Sequence, residues 1–221
     1  MITKGEKQMK RRISLEKDFY NKRADDLLYG QLLYLAEFDS EEKKLYLDKD
    51  NYIRNLPVIY AAAGLLEHSF PRKALNRKMK AFKDLGLVVD AGSAYIFPDN
   101  SKHYCLVETK MLQYLVNTGC RFAVQIYAYL AEAAKQSIEE PYMFTKTGLI
   151  EALGYSRTNK DLLPTIANTL EVLKSEGIVQ WEECLDTVYL DNGSVVPAQR
   201  LELLAVIYDL KLRKIKKEFV F

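Results

Sequence analysis

Six cationic side chains, Arg72, Lys73, Arg77, Lys78, Lys80 and Lys83, fall within twelve residues, and the first acid after them is Asp84. Side chains of these types, so placed, do one kind of chemistry, which is to hold a polyanion. A guanidinium presents a planar fork that matches a phosphate or the edge of guanine, while an ammonium neutralises a phosphate as a point charge. Asn76, in the same stretch, can pair bidentately with adenine. Leu75, Met79 and Phe82 recur at i, i+4 and i+7, which places them on one face of a helix and sends Arg72, Lys73, Asn76, Arg77 and Lys80 outward. The competing reading is an ordinary solvated face. Such faces usually carry carboxylates three or four residues from their cations, and this one carries none before Asp84.

A second set of polar side chains, Ser156, Arg157, Thr158, Asn159 and Lys160, precedes the stretch "DLLPTIANTLEVLKSE". These groups can donate to phosphates or cap the helix that follows. That helix, expected at about 161–176, carries Asp161 and Glu171 and little positive charge, and Pro164 leaves its first residue open. Lys10, Arg11 and Arg12 at one end, and Lys211, Arg213, Lys214, Lys216 and Lys217 at the other, form clusters that gain affinity for nucleic acid through counterion release. Terminal clusters of this kind also serve simply for solubility.

Chemistry of other kinds has little to work with. The chain has two histidines, His68 and His103, and neither has the cysteine or acidic spacing of a metal site. No G-x-x-x-x-G-K-[ST] loop is present to cradle a nucleotide. Neither a catalytic role nor a metal or cofactor is expected. Cys105, Cys120 and Cys184 are odd in number and irregularly spaced, which suits free thiols better than a disulfide framework. The 15 tyrosines could stack on bases, but Tyr29, Tyr34, Tyr127 and Tyr129 sit at core spacing, and Trp181 suits a core or an interface.

The elements that must position the cations are written twice. "YLAE" occurs at 34–37 and again at 129–132; "MKAFKDLGLVV" and "LEVLKSEGIVQ" follow in the same order, at offsets of 95 and 91 residues. Met79 aligns with Leu170, Phe82 with Leu173, Gly86 with Gly177 and Val88 with Val179. Each copy reads as a helix, a short helix ending at a glycine (56–65 and 145–155, Gly64 and Gly154), a turn and a longer helix (71–85 and 161–176). Each long helix ends at a further glycine, and a β-hairpin follows. Thr145 is placed to cap the second short helix, and Pro71 suits the first turn of the first long one. The first hairpin turns at Ala91-Gly92-Ser93. The second is longer, with "LELLAVIY" as an expected third strand. That order is the order of a winged helix-turn-helix. The expected fold is therefore α+β, mainly α, with two tandem winged helix-turn-helix domains. The divisions are a basic arm at 1–12, a first domain at 13–98, a second at 104–207 and a basic tail at 208–221.

Charge follows these divisions. The formal total is only +2, but residues 1–103 carry 19 Lys and Arg against 15 Asp and Glu, residues 104–207 carry 8 against 13, and the tail carries 5 against 2. A basic first body and an acidic second one imply different partners. No apolar run approaches the roughly 20 residues of a membrane span, and no apolar segment follows the basic start, so a cytoplasmic protein without membrane contact is expected.

The segment "FTKTGLIEALGYSRTNKDLLPTIANTLEVLKSEGIVQW" resembles the winged-helix domains of plasmid and phage replication initiators from Gram-positive bacteria. The opening "HYCLVETKMLQYLVNTGCRFAVQIYAYLAE" looks like the first helices of such a domain. The resemblance covers most of the chain and rests on apolar pattern and glycine placement. It implies a sequence-specific double-stranded DNA-binding protein, a replication initiator of a plasmid, phage or mobile element, or a transcriptional regulator. In such a protein the first domain reads bases with Arg72, Lys73, Asn76, Arg77 and Lys80. The second dimerises or makes a further DNA contact through Ser156, Arg157, Asn159 and Lys160. Duplex DNA, a second copy of the chain, and replication or transcription proteins are the expected partners. The alternative is a primosome or assembly adaptor whose winged helices bind proteins and whose cations hold nucleic acid only loosely.

Overall fold

The two halves of the chain build similar series of elements: a strand, a helix, a further strand, a short helix, a long helix and a hairpin. The second half adds a helix, the first adds a strand and a helix, and the two share one apolar core. The computed structural model describes residues 12–39, 42, 44–98, 104–136, 141–189 and 193–207. Lys10, Arg11, His103 and the basic tail at 208–221 lie outside them. The first series is β1 (Arg12–Glu16), a 3-10 turn (Lys17–Asn21), α1 (Asp26–Leu35), β2 (Glu37–Asp39), β3 (Lys44–Asp48), α2 (Lys49–Arg54), α3 (Leu56–Ala62), α4 (Pro71–Asp84), β4 (Val89–Asp90) and β5 (Ala94–Phe97). The second is β6 (Tyr104–Glu108), α5 (Thr109–Asn117), α6 (Ala123–Gln136), β7 (Tyr142–Phe144), α7 (Lys146–Ala152), a 3-10 turn (Lys160–Leu162), α8 (Leu163–Ser175), β8 (Val179–Tyr189) and β9 (Val195–Val206). The fold is mixed α+β with antiparallel sheets throughout the described residues.

The local chemistry repeats along with the order. The four helices α3, α4, α7 and α8 all end the same way: the residue after a left-handed glycine donates back to a carbonyl five residues earlier. The pairs are Leu65 to Tyr60 (2.8 Å), Leu87 to Phe82 (2.9 Å), Tyr155 to Ile150 (3.1 Å) and Ile178 to Leu173 (2.9 Å). Thr145 caps α7 as its sequence suggests, accepting from the Gly148 N–H at 2.9 Å. Leu75, Met79 and Phe82 are buried under α4, and Ile166, Leu170 and Leu173 under α8.

Three features differ from the sequence expectation. The short helix expected at 56–65 is α3, and a helix the sequence reading did not expect, α2, precedes it, with Asn55 between the two. Pro57 has no N–H to continue the ladder and its ring crowds the carbonyl four residues back, so the helix restarts there. Helix α8 begins at Leu163 rather than 161, because the 3-10 turn takes up Lys160–Leu162 before Pro164. "LELLAVIY" supplies no third strand: residues 201–206 are the end of β9, paired directly with β8. Strand β8 runs for 11 residues, so its hairpin partner has to be as long. The third strand is β7, which pairs with β9 as β3 pairs with β5 in the first half.

The halves meet through their opening strands. Strand β1 pairs antiparallel with β6, Arg12 opposite Glu108 and Glu16 opposite Tyr104. These strands are equivalent in the repeat, so the ladder maps onto itself about a local two-fold axis near Ser14 and Leu106. The segment from Ile13 to Arg23, expected inside the first domain, thus lies against the second. Gln125 Nε2 donates to the carbonyls of Phe19, Tyr20 and Lys22 at 3.2, 3.3 and 3.0 Å. A Cβ on Gly154 would come within 2.0 Å of the Asn21 carbonyl oxygen. Behind this segment, α1 crosses α5 so closely that a Cβ on Gly30 would meet Val116 at 2.9 Å. Asp26, the first residue of α1, is 2% exposed and accepts from the N–H groups of Phe122 (2.9 Å) and Val124 (3.0 Å) at the start of α6. One helix start thereby supplies the carboxyl oxygens that accept at the start of its counterpart in the other half. Burial pushes the Asp26 carboxyl up to about 7, against the lowering effect of the backbone donors of Phe122, Val124 and Gln125.

Candidate nucleic-acid interface

Helix α4 places the predicted cations as its apolar period requires. Arg72, Lys73, Asn76, Arg77 and Lys80 are all exposed, while Leu75, Met79 and Phe82 face the core. The other two cations of the six are engaged inside the fold. Lys78 pairs with Asp25, the residue that caps α1, and Lys83 pairs with Asp90 at 2.7 Å. Arg72, Lys73, Arg77 and Lys80 have no carboxylate partner among the described residues. A row of four such charges on one helix face is costly in isolation and is relieved by a counter-anion.

The turn that leads into α4 adds groups that the charge pattern does not reveal. Leu66 is 68% exposed and Phe70 is 69% exposed, so an apolar shoulder stands beside the cations at the start of α4. His68 Nδ1 accepts from the Phe70 N–H at 3.0 Å. A neutral ring bonded this way carries its hydrogen on Nε2, which remains a donor. No sequence signal marks Phe70, since an aromatic residue before a helix reads as core until the packing is known.

The first hairpin, by contrast, is electrostatically closed. Asp90 accepts from Lys49 and from Lys83, each at 2.7 Å, and both ammonium groups lie over the Tyr95 ring, at 5.2 and 5.7 Å from its centroid. The Lys49 hydrogen bond, followed by that of Lys83, holds the Asp90 carboxyl well below the usual carboxylate range. The hairpin carries no cation of its own, and the two that reach it, Lys49 of α2 and Lys83 of α4, are paired with Asp90, so it has less charge to offer an anion than α4 does.

In the second half, Ser156, Arg157 and Lys160 are exposed and Asn159 is half-buried, all in the turn between α7 and α8. The Ser156 and Thr158 hydroxyls bond each other at 2.8 Å, and no side chain caps the start of the 3-10 turn or of α8. The capping role open to these residues is therefore not taken up. Two further arginines reach the same turn from elsewhere in the chain. Arg23 Nε donates to the Gly154 carbonyl at 2.6 Å, with its guanidinium 5.1 Å from the Tyr155 ring centre. Arg121 reaches the Tyr155 hydroxyl at 3.5 Å and lies 4.5 Å over the Phe122 ring. Neither could be found from sequence, because Arg121 is an isolated cation and Arg23, beside Lys22, is soon followed by Asp25 and Asp26, so neither segment reads as basic.

The hairpin of β8 and β9 has the opposite character. It carries Glu182, Glu183, Asp186 and Glu202 against its own Arg200, which pairs with Asp186 at 2.9 Å, while Lys146 at the start of α7 reaches Glu183 at 3.9 Å. Leu185 on this ribbon is 83% exposed. Trp181, at its base, is buried with Lys174 Nζ 4.1 Å over its ring, as a core residue would be.

Among the described residues no cluster of three or more His, Cys, Asp or Glu could hold a metal ion, and no helix is long and apolar enough to cross a membrane. Comparison of the chain with protein-family models, with curated proteins and with solved structures found no match.

Proposed function

We propose that this chain is a sequence-specific double-stranded DNA-binding protein built from two tandem winged helix-turn-helix units, with α4 as the helix that enters the major groove. The observation that carries the reading is the row of Arg72, Lys73, Arg77 and Lys80 on α4, exposed and without a carboxylate partner among the described residues. In support, α2 and α3 precede α4 across a turn, β4 and β5 follow it as a hairpin, and β3 closes the sheet. Helices so placed present their first turns to base edges. Arg72, Asn76 and Arg77 supply bidentate donors, Lys73 and Lys80 take phosphates, and Phe70 offers the apolar contact that suits a thymine methyl. The role is binding, without catalysis, in replication initiation on a plasmid, phage or mobile element or in transcriptional control. A cytoplasmic homodimer on a repeated or palindromic site is the form we propose, and light scattering at tens of micromolar tests it. A monomer with and without DNA counts against that form.

The test of the main reading is selection from a random duplex pool, run on the wild type and on Arg72→Lys/Arg77→Lys. Lysine keeps the charge and removes the fork. The expected result is a motif enriched by the wild type and lost by the variant. Binding that enriches no motif and simply fades with salt sinks base reading.

A second reading has its own support in the acidic ribbon of β8 and β9 with its exposed Leu185. Such a surface repels phosphates and fits a basic, apolar protein face, as an assembly adaptor needs. Here the α4 cations would be replaceable by any others, and the same pair of selections separates the two readings.

A further inference from the structure

We infer that Arg23, Arg121, Arg157 and Lys160 together form a composite site for the DNA backbone, built across the junction of the two halves. This deepens the DNA-binding reading and rests on it. Four exposed cations from three separate chain segments converge around Tyr155 and the turn that leads to α8. None has a carboxylate partner among the described residues. Of the acids nearest in sequence, Asp25 is engaged by Lys78, Asp26 is buried on the N–H groups of Phe122 and Val124, and Asp161 adjoins Lys160.

The two arginines are held in place before any ligand arrives. Arg23 is fixed through Nε on the Gly154 carbonyl and by the Tyr155 ring, which leaves both its terminal amino groups turned to other acceptors. Arg121 precedes Phe122, whose φ of 71° is a backbone state that a bulky L-residue adopts only under constraint. The constraint is visible: the Phe122 N–H is bound by Asp26, its side chain is buried, and its ring meets Tyr155 edge-on at 5.8 Å. The Arg121 carbonyl also accepts from Thr169 Oγ1 at 2.8 Å, which ties the same turn to α8. A fork fixed by its neighbours loses less entropy on taking a phosphate than a free one does.

The ligand chemistry follows from what the site lacks. It lacks a shared recess: Arg121 borders the cavity lined by Asp25, Gln31 and Asn117, and Arg23, Arg157 and Lys160 do not. What it offers is spread positive charge beside a helix-turn-helix, which suits successive phosphodiesters. Because Arg23 belongs to the first half and Arg157 to the second, neither half alone holds the site.

The experiment uses the full chain and a duplex carrying the motif from the pool selection, with affinity measured by fluorescence anisotropy across a salt series. Arg23→Gln/Arg121→Gln is expected to bind about ten-fold or more weakly at low salt, to keep the same motif, and to show a log–log salt slope shallower by roughly 2. Arg23→Lys/Arg121→Lys keeps the charges and should keep most of the slope, which separates phosphate contact from a disturbed junction. If the motif is enriched and lost in Arg72→Lys/Arg77→Lys, yet the glutamine pair leaves the slope unchanged, this inference is overturned while the reading of α4 stands. Weaker binding with an unchanged slope overturns it equally. No duplex binding by the wild type removes both.

Discussion

At the residue scale, Asp26 and Gly154 show how much of the structure hangs on single atoms at the junction. The Asp26 carboxyl titrates at about 7 in the fold and near 3.8 when unfolded, so the folded state holds the proton more tightly. Its contribution is therefore fully present below about pH 4 and is lost as pH rises toward 7, on the order of a few kcal/mol at most. Melting wild type and Asp26→Asn across this range should show the wild type losing stability relative to the variant as pH rises, the amide being blind to the titration. A constant difference would show that the carboxyl titrates as it does in water. Gly154 and Gly64 form a second pair. Both take positive φ, 78° and 65°, in the same helix ending, but only Gly154 has backbone in the way of a Cβ. Gly64→Ala should cost about 1 kcal/mol, the ordinary left-handed penalty, and Gly154→Ala well beyond that, by denaturant unfolding. Equal costs would mean the contact with Asn21 gives way easily.

At the element scale, α4 and α8 share a fold position and differ in charge. On α4 four cations stand free; on α8 only Lys174 remains, and it lies over Trp181. Salt dependence should register the contrast. Neutralising Lys73 and Lys80 as Lys73→Gln/Lys80→Gln should make the slope of log affinity against log salt shallower by about 2 and leave the selected motif unchanged. Replacing Lys174 with Gln should leave the slope as it is. A slope insensitive to Lys73 and Lys80 would remove α4 from the duplex. The hairpins diverge in the same manner. The first neutralises Asp90 with Lys49 and Lys83, and the second extends an acidic ribbon, so in both halves the exposed cations without carboxylate partners among the described residues gather at the long helix and the turn before it, and not at the hairpin.

At the scale of the whole molecule, the halves are joined by exchange of their opening segments. The second half relies on β1 to pair β6, on Asp26 to satisfy the start of α6, and on three carbonyls of residues 19–22 to meet Gln125. Residues 104–207 expressed alone lose all of these. Buried donors left unsatisfied cost about 1–3 kcal/mol each, so this fragment should melt well below the intact chain, and a version with residues 12–26 joined ahead of it should recover much of the difference. Equal melting of fragment and full chain would show the junction to be dispensable. The same exchange explains why the basic and acidic bodies read from the sequence are not separable modules: Arg23 lies on the acidic side of the molecule.

Local chemistry was legible without any structure because it depends on short-range rules. The repeat, the glycine-ended helices, the Thr145 cap, the buried face of α4 and its outward cations all follow from periodicity and backbone preference. Pro57 could also have been read as a break, and the alternation in "KLYLD" hinted at β3, whose Leu47 is buried. What remained closed was everything that joins distant segments. The pairing of β1 with β6, the carboxyl of Asp26 at the start of α6, and the gathering of Arg23 and Arg121 at Tyr155 bring together residues that stand from 34 to 131 positions apart. Such contacts leave no period in the chain. They are set by which apolar faces bury one another, and packing in three dimensions alone decides that.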